Sequence, residues 1–338
     1  MGKLFMMDFP TDKVRIVPCY KQEDLLKKIK AESPERVTPP KIADVYGELY
    51  FPPAPCHRPY TFCSVVLSAD GKMAFTDHPA GPIIAKNNYL DPDGALADFW
   101  MLNALRTYSD GIIIGAKTLQ TEVNATSHIF DKDLAKERVE VLGKTPHPWN
   151  IVVSFDATDI PFEHIIFDVD PEEKLNVAIA TSPQGAEYVK KSFAKEHIFI
   201  GPYNTKGGID KDLSTIQESL RANPTKVPVF ITGENSNPSS EILLYLLRQL
   251  EFRRLLIESP SYNWHLMENK ALDEFFINYS MVYAGGTITP GYQLPFSHIE
   301  HPHAELLTMG THRSSFIFTR QKLYYDLTSS VDLSKYKY

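Results

Sequence analysis

The chain predicts an α/β fold: a mostly parallel central sheet flanked by helices, finished by antiparallel C-terminal strands. Three observations carry that expectation. The runs Phe62 to Leu67, Ile112 to Ile114 and Leu255 to Ile257 are uncharged, largely apolar and far too short for a lipid span, as strands buried on both faces must be. Between them lie apolar residues at helical spacing, from Leu96 to Leu105 and from Ile242 to Leu250. Strands and helices alternating in this way give a parallel sheet covered on both faces. The C-terminal end instead reads ELLTMG, RSSFIFTRQ and KLYYDL, strand after strand with no helix between.

At 338 residues, with 43% hydrophobic and 23% charged side chains, there is material for a large core, as one domain or two. A formal charge of −7 argues against nucleic acid as a partner, because gripping phosphates takes a basic surface, so any anion site has to be local. No apolar run reaches the length of a membrane span, and the opening MGKLFMMDFPTDK lacks the apolar core and cleavage pattern of a secretory signal. Cys19, Cys56 and Cys63 lack the C-x-x-C spacing of a metal or redox site. Reduced thiols in a cytoplasm are the expectation, with no membrane partner.

In chain order, residues 1–57 read as an N-terminal extension packing on a core domain at 58–338. The extension holds one amphipathic helix in KQEDLLKKIK, with Leu25, Leu26 and Ile29 on one face, followed by repeated prolines from Pro34 to Pro55. From Arg58 a strand carrying Phe62, Val65, Val66 and Leu67 stops at Ser68-Ala69-Asp70-Gly71-Lys72. That is first a turn; at the carboxyl end of a buried strand, where α/β sheets collect ligands, it also suits a substrate loop. Asp91-Pro92 is expected to open a helix with Pro92 in its first turn, Leu96 to Leu105 supplying the core face and Arg106 the last turn.

The stretch Ser109 to Glu122, SDGIIIGAKTLQTE, organises the rest. Its strand ends abruptly at Gly115, and Ala116, Lys117 and Thr118 open a new segment. A glycine there lets a phosphate approach backbone N–H groups that have no partner in the first turn of a helix. Further on, Asn150 to Ser154, Asn176 to Ala180 and His197 to Ile200 read as strands and Gln184 to Ala194 as a helix. After the helix ending near Leu250, Glu258 sits at the carboxyl end of the Leu255 to Ile257 strand. Ser259-Pro260-Ser261-Tyr262-Asn263 is turn chemistry, with Ser261 as cap of a short helix through Leu266, Met267 and Glu268. Two helix starts at one sheet edge suit the phosphates of a dinucleotide. Arg320-Gln321 is expected to form a tight hairpin between the last two strands, which close the sheet edge or build a dimer contact.

The order of these blocks, RPYTFCSVVLSADGKMA, a helix ending in Leu105-Arg106, then SDGIIIGAKTLQTE, resembles the reductase domain of the bifunctional deaminase-reductase of riboflavin biosynthesis, in the dihydrofolate-reductase-like family. The stretch VPVFITGENSNPSSEILLYLLRQLEFRRLLIESPSYNWHLMENKALDEFFINYSMVYAGG looks like the closing unit of that family. The resemblance implies an NADPH-dependent reductase with Gly115, Ala116, Thr118 and Glu122 at the cofactor phosphate and ribose, and Pro260, Ser261, Tyr262 and Asn263 along the rest of NADPH. Val66 would offer backbone near the nicotinamide; Ser68, Asp70 and Arg106 would face or frame the substrate; Glu258 would contact substrate beside the nicotinamide. Protonation falls to Glu258, Asp70 or water. The implied reaction is hydride transfer to the opened ribose of a phosphoribosylamino-pyrimidine, and a homodimer is expected.

Two departures stand out. The family has Glu-Gly-Gly where this chain has Glu258-Ser259-Pro260, which removes φ freedom and close backbone approach. Its second substrate-phosphate arginine has no counterpart, NATSHIF offering only His128. The expected substrate is therefore a different small heterocyclic or carbonyl compound. The alternative is a non-catalytic nucleotide-binding protein of the same fold. His303-Ala304-Glu305 opens like a zinc deaminase motif, but no P-C-x-x-C follows, and the cluster of His298, His301, His303 and Glu305 reads as a solvated loop rather than a metal site. Gly143-Lys144-Thr145 lacks the upstream glycine of a P-loop, and no G-x-G-x-x-G follows a strand. Every site assignment rests on Gly115 and Glu258 lying side by side.

Overall fold

Why the apolar runs become central strands is plain from the computed structural model, which describes residues 2–291 and 295–327: Ile112 to Ile114 and Leu255 to Ile257 are sealed from solvent on both sheet faces, as are Phe62, Cys63 and Leu67. In chain order the elements begin with α1 (Thr11–Val14), β1 (Val17–Lys21), α2 (Glu23–Glu32) and α3 (Pro40–Val45). Then come β2 (Tyr60–Ser68), α4 (Pro82–Lys86), α5 (Gly94–Tyr108), β3 (Gly111–Gly115), α6 (Ala116–Thr121), α7 (Lys132–Glu140) and β4 (Trp149–Val153). The chain continues through β5 (Val177–Thr181), α8 (Pro183–Ser192), β6 (His197–Tyr203), α9 (Lys206–Ala222), β7 (Val227–Thr232) and α10 (Ser240–Gln249). It closes with β8 (Arg254–Ile257), α11 (Pro260–Glu268), β9 (Glu274–Ser280), β10 (His303–His312) and β11 (Phe316–Tyr324).

All of these strands join one eleven-stranded sheet in the order β1-β10-β11-β9-β2-β8-β3-β4-β5-β7-β6. From β9 to β6 every pairing is parallel, while β9-β11, β11-β10 and β10-β1 are antiparallel. The expected fold class is the observed one.

Two cores flank the sheet. On one face Phe62, Ile112, Ile114, Leu256 and Phe276 pack with Trp100, Met101, Ala104 and Tyr108 of α5. On the other, Cys63, Ile113, Leu255 and Ile257 meet Leu243, Leu246 and Leu247 of α10. The N-terminal arm completes the α5-side core, burying Phe9, Val14, Ile16, Ile42, Val45, Leu49 and Phe51 in it. Tyr108 donates its hydroxyl to Leu49 O at 2.7 Å, and Arg254 pairs with Glu35, so polar bonds fasten the arm as well.

Three local expectations are corrected. Arg320-Gln321 is no hairpin: β11 runs straight through it, and the turn falls at residues 313–315, where Arg313 adopts a left-handed φ of 48°. The reason is burial of charge. Arg320, 1% exposed, donates Nε to Glu274 Oε2 at 2.7 Å and Nη2 to Glu274 Oε1 and Tyr50 O at 2.8 Å, which holds it within the strand beside β9. Pro92 lies ahead of α5, whose N-cap is Asp93, because Asp91 is drawn away to His312 Nδ1 at 2.7 Å. Ser261 is not the cap of α11; Ser259 holds that position, makes no capping bond, and Pro260 takes the first turn.

Candidate active-site crevice

A central strand of a wide parallel sheet should be buried along its length, yet Ser64, Val65 and Val66 in the middle of β2 are partly open. The cause is a length mismatch. β8 ends at Ile257, opposite Cys63 of β2 and Ile113 of β3, whereas β2 continues to Ser68 and β3 to Gly115. Above the end of β8 the sheet therefore has a notch, walled by the extensions of β2 and β3 and roofed on one side by α5. This is the strand-order switch at which open α/β sheets bind ligands.

Glu258 is the floor of the notch, its N–H bonded to Ile113 O at 2.8 Å. Its carboxylate is met by Arg106 of α5: Nε to Oε1 and Nη2 to Oε2, both 2.7 Å. Ser127 donates its hydroxyl to Oε2 at 2.7 Å, and Arg106 Nη1 reaches His128 O at 2.7 Å. Ser127 is itself fixed by Asn150 of β4, which accepts from its N–H at 3.1 Å and donates to its carbonyl at 2.8 Å. With side chains 5% and 12% exposed, Arg106 and Glu258 form a closed, bidentate, nearly dry pair. The sequence brought Arg106 and Glu258 to the site separately; the fold joins them to each other.

Beside this floor lie the starts of α6 and α11. Neither Gly115 nor Ser259, their N-caps, makes a side-chain capping bond, so first-turn N–H groups are left for another partner. Gly115 and Glu258 are neighbours, as the sequence required: a Cβ on Gly115 would meet Ser259 Oγ at 2.7 Å and Thr118 Oγ1 at 3.9 Å. The Ser259 side chain thus lies across the backbone that the glycine leaves bare. Asn263, 2% exposed, carries an Oδ1 buried with no hydrogen-bond partner among the described residues. Tyr262 packs into the α10-side core beside His265, its phenol pushed up to about 12 by burial.

On the other wall Ser68 donates to Asp70 Oδ1 at 2.6 Å, and Asp70 also accepts the N–H groups of Ala284 at 3.0 Å and Gly285 at 2.8 Å. These donors, Ser68 first, hold its carboxyl at about 2, so Asp70 is an ionised clasp between two loops at the notch. Glu122, at the end of α6, is pushed up from the ordinary range by its surroundings and then by the charge of Glu258, against the pull of Arg106 and Lys86. It is a solvent-reached carboxyl within the field of the floor pair. His128 faces inward: its ring stacks on Phe130 at 3.7 Å, its nitrogens meet Thr126 and Phe5 O, and burial brings it down to about 3. It is a neutral core group, not a phosphate ligand. Glu305 is committed to Gln22 and Tyr324, and no metal-holding cluster occurs among the described residues.

Sequence reasoning passed over Asp98 and Asn278. Asp98, Leu102 and Arg106 recur every fourth residue on one stripe of α5, the stripe that looks at the notch. Asn278 of β9, opposite Val66 of β2, donates Nδ2 to Asp98 Oδ1 at 2.7 Å. Burial raises the Asp98 carboxyl to about 6. The available signal was a lone Asp on the apolar side of GALADFWMLNALRTY. A second cavity, of about 310 Å³, lies elsewhere, between the arm and β10, lined by Leu26, Ile29, Lys30, Tyr50 and Arg320 among others.

No family model matches the chain, and no curated protein does. Solved structures do. A pyrimidine reductase-like protein from Corynebacterium diphtheriae superposes with a TM-score of 0.55 at 17% identity, over 84% of this chain and 98% of the other. RibD from Acinetobacter baumannii gives 0.50 at 15% identity, over 89% of this chain. The chain spans 64% of that RibD. The fold of these proteins is the fold of this chain, and the resemblance read in the sequence holds at that level.

Proposed function

We propose that the chain is a cytoplasmic NADPH-dependent reductase of a small heterocyclic or carbonyl compound, akin to 5-amino-6-(5-phosphoribosylamino)uracil reductase. The observation that carries this reading is the notch itself: half-open Ser64 to Val66, uncapped starts of α6 and α11, and the orphaned Asn263 Oδ1 converge on the end of β8. These features fit a dinucleotide, whose phosphates seek free N–H groups and whose ring seeks exposed strand backbone. Gly115, Ala116, Thr118 and the loop from Pro260 would hold it, with Glu122 toward its ribose and Val66 beside the ring. Bound nicotinamide supplies the hydride. Arg106, Ser127 and Glu258 hold one fixed arrangement of charge beneath it, so the polar environment needs no reorganisation during the reaction. Ser68 and Asp70 fasten the substrate-side loops. A homodimer belongs to the proposal.

The test is titration of nucleotide-free protein with NADPH, read by fluorescence, followed by NADPH oxidation across a panel of aminopyrimidines and carbonyl compounds. Saturable binding with turnover is expected, and absence of saturable binding overturns the reading. One observation favours the second reading, a nucleotide-binding protein without turnover: Ser259 Oγ lies where a close approach to Gly115 is needed. Saturable binding with no oxidation across the panel would select it.

A further inference from the structure

The floor pair leaves the proposed reduction without an acid. Glu258 is clamped by two nitrogens of Arg106 and the hydroxyl of Ser127, and Asp70 by three donors. Every carboxylate oxygen of the two is already engaged by a donor. Hydride delivery to a C=N or C=O carbon places a negative charge on the heteroatom, and a group poised to protonate it contributes about 10²–10⁴ in rate.

From the stripe of α5 that faces the notch, we infer that Asp98 is the catalytic acid of this site, giving its proton to the substrate heteroatom bonded to the carbon that receives hydride. Asp98 and Arg106 stand two helical turns apart on that stripe, and Val66, beside which the ring is proposed to lie, faces the same side of the sheet as Asn278. The Asn278 amide fixes one carboxyl oxygen of Asp98 at 2.7 Å. Among the described residues the second oxygen has no hydrogen-bond partner, which leaves it free to carry a proton toward a bound molecule. Among the described residues no charged group pairs with it; α4, packed on α5 and β2, carries Lys86 as its one charged group. On α5 itself Asp93 is tied to Arg313 and Arg106 to Glu258; β2 presents Ser64 and Val66, and β9 presents Phe276 and Asn278. Burial, only partly offset by the Asn278 bond, brings the carboxyl to about 6, where it holds a proton in part of the molecules near neutral pH.

The step balances. A C–H bond forms from hydride, with two electrons leaving the reduced nicotinamide; an O–H or N–H bond forms as the Asp98 O–H breaks; the carboxylate is then reprotonated by solvent. The inference rests on the reductase reading, and the experiment separates the two. Full-length protein carrying ¹³C-carboxyl aspartate is titrated by NMR, with Asp98→Asn identifying the signal, first free and then with NADPH and 5,6-diaminouracil as probe. A midpoint near 6 that moves when the probe is added is expected. A midpoint in the ordinary aspartate range, or one indifferent to the probe, overturns the assignment. On whichever panel compound turns over, Asp98→Asn should keep NADPH affinity, lower kcat by ~10²-fold or more and abolish the limb of the pH profile near 6. An unchanged kcat and profile refute the inference while leaving the reductase intact, whereas loss of NADPH binding by the parent protein refutes the reductase instead.

Discussion

Replacing Arg106 by Met removes the cation paired with the Glu258 carboxylate while keeping the stem that packs in α5. The variant loses two charge-assisted bonds of 2.7 Å to Glu258, a third to His128 O and the guanidinium over the Phe130 ring at 5.7 Å. Glu258 keeps Ser127 alone, with 12% of its side chain exposed. Stranding one member of a buried pair costs about 3–5 kcal/mol, most of it desolvation that nothing then offsets. Glu258→Gln strands the guanidinium instead and should fall in the same range. The double variant leaves neither charge and should lie within ~2 kcal/mol of the parent, so the cycle returns a coupling of at least ~4 kcal/mol. The assay is urea unfolding of the four proteins, read as midpoint shifts at constant slope. If Arg106→Met unfolds within ~1 kcal/mol of the parent, or if the two single losses simply add, the pair is not the closed unit described.

Further outcomes follow from the same geometry. Arg320→Met should cost about 3–5 kcal/mol in the same assay, because it takes the paired cation from a fully buried Glu274, leaving the Tyr60 hydroxyl, and removes a cation 4.9 Å from the Phe51 ring centre; a loss confined to ~1 kcal/mol would show that the antiparallel wing does not depend on it. Asp98 has a folded-state pKa raised from 3.8 to about 6, so its contribution is present below pH ~4 and is lost as pH rises to ~6, by at most ~3 kcal/mol. Asp98→Asn should therefore gain stability relative to the parent above pH 6, as thermal unfolding across pH 4 to 8 would show, and parallel curves would refute the shift. Ser259→Gly clears the atom 2.7 Å from the Gly115 Cβ position and should tighten NADPH binding by ~tenfold, about 1.4 kcal/mol; weaker or equal binding would show that the hydroxyl contacts the nucleotide rather than crowding it.

What the amino-acid order reveals depends on how local the cause is. The strand at Gly111–Gly115 is legible because β-branched residues bounded by glycine leave few alternatives, and the adjacency of Gly115 and Glu258 follows from family block order. Arg320 was misread because a charged pair inside a strand spells like a turn; only Glu274, far back in the chain, turns it into a core residue. Ser127 owes its place to Asn150, and Asp98 owes its raised pKa to the helix and sheet closing around it. Neither cause is visible within a window of neighbours. The notch is a difference in length between β8 and its flanking strands, a property of three distant segments compared with one another.

The pairing of β1 with β10 makes two segments far apart in the chain answerable to each other. β10 is ten residues long, and β1 covers the amides and carbonyls of its outer row from Thr308 to Thr311. A fragment lacking that guard would display a bare, sticky rim competent to recruit the same strand from a neighbouring copy. During synthesis the guard emerges eight strands before its docking rail exists. Deleting β1 is thus a way to make β10 aggregate.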